Sequence, residues 1–75
     1  MHEDEMSKLR AFQARARALA RSGSFYGLLP LEFELRFEDG FEQARDWLAD
    51  GDVREELDRM CREARQRGLA RKNAA

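Results

Sequence analysis

The spacing of apolar residues predicts a helix at each end of the chain. From about Asp4 to Arg21, apolar residues recur at steps of three and four and share one helical face: Leu9, Phe12, Ala16 and Leu19. A second such face begins after Asp52 and lasts to about Gly68, formed by Val53, Leu57, Met60, Cys61 and Ala64. The chain is therefore expected to begin and end with a long amphipathic helix.

Turn-forming residues divide the middle of the chain into two shorter elements. Ser22-Gly23-Ser24 ends the first pattern, with Gly23 as a left-handed cap. Pro30 suits the first position of a helix that lasts to about Phe37. A third segment covers Phe41 to Ala49. Asp52 then caps the last helix, with Glu55 three residues later as in a capping box.

Residues 31–37 alternate strictly between apolar and polar side chains, which is also the pattern of a half-buried strand. As a helix, the segment places Leu31 and Leu35 on one side and Phe33 and Phe37 nearly opposite, so it would have to be sandwiched between other helices. Glu, Leu and Arg are better helix than strand formers, which favours the helix. A lone strand would need a partner strand from a second copy of the chain.

Composition favours an all-α fold, since Val53 is the only β-branched residue and Ile and Thr are absent. We therefore predict one small domain over residues 1–75, a bundle of three to four helices with residues 1–5 and 70–75 frayed. A domain of this length buries only about 60% of the surface of its unfolded chain. One core is therefore the most that it can build.

The strand interpretation has a specific alternative meaning. A strand at 31–37, followed by helices over Phe41–Ala49 and Val53–Gly68, resembles the element order of ribbon-helix-helix repressors. That resemblance implies a dimer whose paired strands enter the DNA major groove. The outward residues would then include Glu32 and Glu34, whose carboxylates repel phosphates, and this departs from what a DNA-reading ribbon needs.

The residues needed for catalysis or metal binding are scarce. Cys61 and His2 are the only residues of their types, which excludes a disulfide framework and a cysteine-rich zinc site. The chain has no phosphate-binding glycine loop and no nucleophile elbow. We expect no enzyme activity, no cofactor, no metal and no small-molecule substrate. On the apolar face, Cys61 is interpreted as a small hydrophobe, although Arg62 and Arg65 are close enough in sequence to lower its pKa.

The sequence also carries signals about location. Residues 1–5 are acidic and polar, unlike a secretory signal, and a small secreted domain would usually contain several disulfides. The longest uncharged run, residues 22–31, is too short to span a bilayer. These features predict a cytoplasmic protein without a membrane partner.

Aromatic residues concentrate in the acidic middle of the chain. A domain of this size cannot bury all of them together with the neighbouring leucines, and exposed aromatic side chains are typical of protein interfaces. We therefore predict a non-enzymatic interaction or regulatory protein that binds another protein, or itself as a homodimer, through residues 25–49. The candidate partner-binding residues are Tyr26, Phe33, Phe37, Phe41 and Trp47.

Charge is segregated although the net charge is only −1. Residues 7–24 carry five basic side chains and no acid, residues 25–58 are acidic, and residues 59–75 are basic again. Several arginines of the first helix have no acid three or four residues away, so either the acidic middle folds back onto them or they face an external anion. The alternative function is thus a nucleic-acid-binding regulator or antitoxin-like protein using helices 7–21 and 59–72. Its candidate anion-binding residues are Arg10, Arg15, Arg17, Arg21, Arg62 and Arg65.

Overall fold

The computed structural model describes the backbone of residues 2–74 and the side chains of residues 5–68. Within that range the fold is all-α, with four helices and no strand, as the composition predicts. The helices are α1 (His2–Arg21), α2 (Leu28–Leu35), α3 (Arg45–Ala49) and α4 (Gly51–Ala74). Except for Glu5, the side chains of residues 1–5 and 70–75 lie outside the described residues, and the predicted fraying of these ends stays a prediction.

The ribbon-helix-helix alternative is wrong, because residues 31–35 belong to helix α2 and residues 36–37 to the turn after it. Leu31 and Leu35, one helical turn apart, are both fully buried. Phe33 is exposed on the other side of the helix, and Phe37 is exposed in the turn that follows it. The alternating pattern therefore describes a helix with one apolar face in the core and another in solvent. The expectation that α2 is sandwiched between helices is also wrong.

Helices α1 and α4 form the long axis of the molecule. Arg17 contacts Glu56, and Gly23 lies against the carbonyl of Ala64, so the two helices run in the same direction. They are staggered along their length, which accounts for principal extents of 50 × 22 × 17 Å. Helix α2 runs back across them in the opposite direction.

The core lies where all four helices meet. Its largest fully buried side chains are Phe12, Leu31, Leu35, Leu57 and Cys61. Leu48 on α3 and three alanines complete it, namely Ala16 and Ala20 on α1 and Ala44 just before α3. Small side chains on α1 allow the neighbouring helices to approach its backbone closely. Burial of this apolar surface is the main driving force for folding.

The ends of the helices differ from the sequence predictions at several places. Helix α2 begins at Leu28 and ends at Leu35, so Pro30 is its third residue rather than its first and the helix stops before Phe37. Asp50 rather than Asp52 caps α4: its Oδ1 accepts hydrogen bonds from the N–H groups of Asp52 (2.9 Å) and Val53 (3.2 Å). Helix α4 continues through Gly68 to Ala74. The third helix begins only at Arg45, because residues 36–44 form successive turns instead of one regular helix. The left-handed conformation predicted at Gly23 is confirmed, with φ 81°.

Helix α2 is held to α4 by two polar contacts. Asp58 Oδ1 accepts a hydrogen bond from the N–H of Leu28 at 2.9 Å, and so caps α2 from thirty residues away. Gly27 makes room for this contact, since a Cβ there would lie 3.0 Å from the same oxygen. One turn further along, Arg54 donates a hydrogen bond to Glu32. These two contacts fix which side of α2 faces solvent.

Candidate functional site

Four large apolar side chains are exposed along one side of α2 and its flanking turns. We call this set the apolar stripe, and it consists of Tyr26 (69% exposed), Leu29 (70%), Phe33 (60%) and Phe37 (75%). Leu29 and Phe33 are four residues apart, so they lie one above the other on α2. Phe37 follows after four more residues, in the turn at the end of the helix. The rings of Phe33 and Phe37 touch edge to face, with centroids 5.6 Å apart. Tyr26 and Leu29 line one groove between α2 and α4.

The stripe is exposed because the core takes the opposite side of the same helix. Leu31 and Leu35 are fully buried and Leu28 packs against them, which turns the remaining apolar side chains outward. An aromatic side chain presents about 150–250 Å². At the observed exposures, the three aromatic residues of the stripe therefore offer about 300–500 Å². The largest apolar patch on a monomeric protein is commonly of about this size and is often functional.

The two edges of the stripe carry opposite charges. Each residue turns a helix by about 100°, so Glu34 lies about 100° to one side of Phe33 and Arg36 about 60° to the other. Both side chains are exposed, and neither forms an ion pair with any other described residue. The stripe is therefore an apolar surface with an acidic border and a basic border.

The structure divides the predicted partner-binding residues into two groups. Tyr26, Phe33 and Phe37 lie on the stripe, whereas Phe41 and Trp47 pack on the core side against Phe12. Both ring centroids lie 6.3 Å from that of Phe12. Phe41 and Trp47 thus support the fold and are not brought together with the other three.

The candidate anion-binding residues are divided in the same way. Three of them have acidic partners within the chain, in the pairs Arg15–Glu38 (3.3 Å), Arg17–Glu56 (3.6 Å) and Arg62–Asp58 (2.8 Å). The acidic middle of the chain therefore folds back onto two arginines of α1. Arg17 also lies over the ring of Trp47, 5.4 Å from its centroid. Each of these three guanidinium groups therefore already has a partner within the fold.

The other three candidates, Arg10, Arg21 and Arg65, are exposed and form no ion pair among the described residues. Arg65 lies where α4 leaves the globule, because residues 65–68 are all exposed over a full helical turn. No other described element packs against this turn. The basic end of α4 is thus accessible from several sides.

A shallow depression between α2, α3 and α4 contains three more arginines. Arg36, Arg45 and Arg54 line it together with Glu32. The hydrogen bond to Glu32 raises the pKa of Arg54 above its ordinary value, while burial acts in the opposite direction. Arg54 also donates to the carbonyl of Leu48 at 3.2 Å, so this guanidinium joins three helices.

The thiol of Cys61 is fully buried in the core. Burial raises its pKa above the ordinary value, and the nearby negative charge of Asp58 raises it further. The suggestion that Arg62 and Arg65 lower this pKa is therefore wrong. A protonated, inaccessible thiol is a packing group, as its position on the apolar face of α4 predicts.

We expect native Cys61 to react with iodoacetamide at least about tenfold more slowly than in the chain unfolded by guanidinium chloride, because alkylation needs an exposed thiolate. The raised pKa also favours the folded state at neutral pH, and this contribution is lost as the pH rises through the folded-state pKa. Mass spectrometry of timed alkylation reactions measures the rates. Equal rates in the native and unfolded chain would contradict the burial of this thiol.

Sequence reasoning missed Leu29, although its position four residues before Phe33 was a usable signal. It also missed Asp58 as the cap of α2, for which the local sequence carries no signal. Among the described residues, no three His, Cys, Asp or Glu side chains converge as a metal site would require. None of the described helices is long and apolar enough to cross a membrane.

Comparisons with protein-family models, with curated proteins and with solved structures find no match to this chain.

Proposed function

We propose that this chain is a non-enzymatic interaction protein that binds a protein partner through the apolar stripe. The observation that carries the proposal is the exposure of Leu29 and Phe33 on the side of α2 opposite its buried residues, together with that of Tyr26 and Phe37 in the flanking turns. Exposing this surface costs free energy in water, and a docked protein surface would recover it. The proposal places the protein in the cytoplasm, where an unpaired thiol such as that of Cys61 stays reduced.

The physical support lies in the kind of side chains that the stripe contains. A few anchor residues supply most of the binding energy in protein interfaces, and aromatic residues are enriched among the side chains at the centre of such interfaces. The stripe presents three aromatic residues within about three helical turns, and charged residues border it on both sides. An apolar centre with a polar rim is the usual organisation of such an interface.

A photo-crosslinking experiment tests the proposal directly. We expect p-benzoylphenylalanine at position 33 or 37 to crosslink to protein in the cells that naturally make this chain. The same amino acid at position 14 or 18, exposed on α1, is the matched control and should give far less product. Mass spectrometry of the crosslinked bands identifies the partner. Equal crosslinking from both sets of positions, or none from the stripe, would refute the proposed site.

Nucleic-acid binding is the second candidate, and the exposed basic turn of α4 favours it. Arg65 and Arg67 lie there, and Arg10 and Arg21 on α1 also form no ion pair among the described residues. Arginines in such positions are available to contact phosphates.

This second candidate predicts steep salt dependence. If three or four arginines contact phosphates, the affinity for random duplex DNA or RNA should fall about 40–150-fold between 50 and 200 mM salt. Fluorescence anisotropy measures this affinity, with the variant Arg65→Glu/Arg67→Glu as the test and Glu55→Gln/Glu63→Gln as a variant that keeps these arginines. Absence of binding at 50 mM salt would eliminate the candidate.

A further inference from the structure

We infer that the partner that covers the apolar stripe is a second copy of this chain, with the two α2 helices side by side and parallel. The inference rests on the proposed function of the stripe and names its occupant. It comes from the two charged borders, Glu34 on one edge of the stripe and Arg36 on the other.

A two-fold axis parallel to α2 brings opposite edges of the two stripes together. The edge that carries Arg36 then faces the edge that carries the partner's Glu34, and the same pair forms again on the other side of the axis. The two residues differ by two positions, or about 3 Å along the helix, which is within reach of their side chains. Each copy thus supplies both members of two symmetric ion pairs around a shared aromatic centre.

The antiparallel arrangement lacks this complementarity. A two-fold axis perpendicular to α2 brings like edges together, so that Glu34 faces the partner's Glu34. On the other edge, Arg36 would face the partner's Glu32, which already accepts a hydrogen bond from Arg54 of its own chain. The charges around the stripe therefore favour the parallel pair.

The small area of the stripe limits the expected affinity of the dimer. Its aromatic residues offer about 300–500 Å², and Leu29 and the charged rim add to this. A standard interface buries about 800 Å² on each partner, so the expected dimer lies at the small end of the range. We expect reversible association with a micromolar or weaker dissociation constant, which falls within reach of sedimentation measurements.

Charge reversal at the two borders tests the arrangement. Arg36→Glu alone places two carboxylates opposite each other in each pair, and Glu34→Arg alone places two guanidinium groups opposite each other. Each single variant should therefore dimerise at least about tenfold more weakly than the unchanged chain. Mixing the two variants in equal amounts should restore association, because one chain then carries a carboxylate at both borders and the other carries a guanidinium group at both.

Analytical ultracentrifugation over a range from micromolar to near-millimolar protein measures both variants and their mixture. Arg10→Glu and Glu63→Arg are the matched controls, since they change the net charge equally at exposed positions away from the stripe. These controls should dimerise like the unchanged chain. Circular dichroism checks that every variant keeps its helix content, which is expected because all four positions are exposed.

The outcomes separate this inference from the proposed function. Association that is weakened by both reversals and restored by mixing supports the parallel dimer. The inference is overturned if the charge reversals leave the dissociation constant of the dimer unchanged, or if the mixture of the two variants fails to associate. A chain that stays monomeric while position 33 crosslinks to a different protein overturns the dimer and keeps the binding function of the stripe. A monomeric chain without such crosslinks overturns both.

Discussion

Replacing Phe12 with alanine is expected to destabilise the protein by about 3–5 kcal/mol, the usual cost of removing a buried aromatic side chain. Phe12 is 1% exposed and contacts both Phe41 and Trp47, so its loss leaves a cavity beneath the turns that precede α3. A chain of this length has a total stability of only about 4–11 kcal/mol. The substitution should therefore remove from about a quarter to all of the free energy of unfolding.

Urea denaturation followed by circular dichroism measures the effect of the Phe12 substitution. Phe33→Ala is the matched control, because it removes the same side chain from an exposed position and should change the stability of the monomer by less than about 0.5 kcal/mol. Similar losses for the two variants would mean that the core is not where the structure places it. The comparison is made at low protein concentration to keep self-association out of the measurement.

Gly40→Ala is expected to cost about 2–4 kcal/mol, since it combines backbone strain with a steric clash. Gly40 has a φ of 90°, a conformation that L-residues rarely adopt. A Cβ there would also lie 2.7 Å from the carbonyl oxygen of Lys8 and 3.2 Å from Cβ of Phe12. The turn would have to move away from α1, and with it the chain that leads into α3.

Gly68→Ala provides the contrast for Gly40. Gly68 lies within α4, and a Cβ there has no neighbouring atom within 4 Å. This substitution should stabilise the helix by about 0.5–1 kcal/mol, because alanine loses less conformational freedom than glycine. Thermal and urea unfolding of both variants measure the difference. Opposite signs are expected, and a neutral Gly40→Ala would contradict the close approach of its turn to α1.

The long helices could be predicted from sequence because their evidence is local. The three- and four-residue spacing of Leu9, Phe12 and Ala16 holds whatever the rest of the chain does. The left-handed Gly23 followed from the same kind of local signal. The choice between Asp50 and Asp52 as the cap of α4 did not, because either carboxylate in that turn suits the helix start and only the backbone path decides between them.

Which aromatic residues belong to the apolar stripe could not be predicted without the tertiary structure. Phe33 and Trp47 carry similar sequence signals, yet one is exposed and the other packs beside Phe12. The difference comes from the rotation of α2 about its axis, which Leu31 and Leu35 set by entering the core. Phe33 and Phe37 form one group of aromatic side chains, and Phe41 and Trp47 form another. A core this small can bury only one of the two groups.

The partners in ion pairs between distant parts of the chain could not be predicted from the sequence either. Sequence reasoning left open whether the acidic middle returns to the arginines of α1 or these arginines face an external anion. The pairs of Arg15 with Glu38 and Arg17 with Glu56 confirm the first option for these two arginines. Sequence reasoning did not identify the partners, because surface ion pairs are weak and follow the fold that the core determines. The alternating segment 31–37 remained ambiguous for a related reason, since an exposed apolar face breaks the usual helical pattern.

The capping of α2 by Asp58 has a consequence for recognition. An isolated helix of eight residues is marginal in water, and this one is anchored at its first N–H by Asp58 and at its middle by Arg54. The helix cannot roll about its axis without breaking both anchors. A binding partner therefore docks on a preorganised surface, and complex formation costs little backbone conformational entropy. Severing the Asp58 contact should weaken recognition because it loosens α2, although Asp58 is not one of the four residues of the stripe.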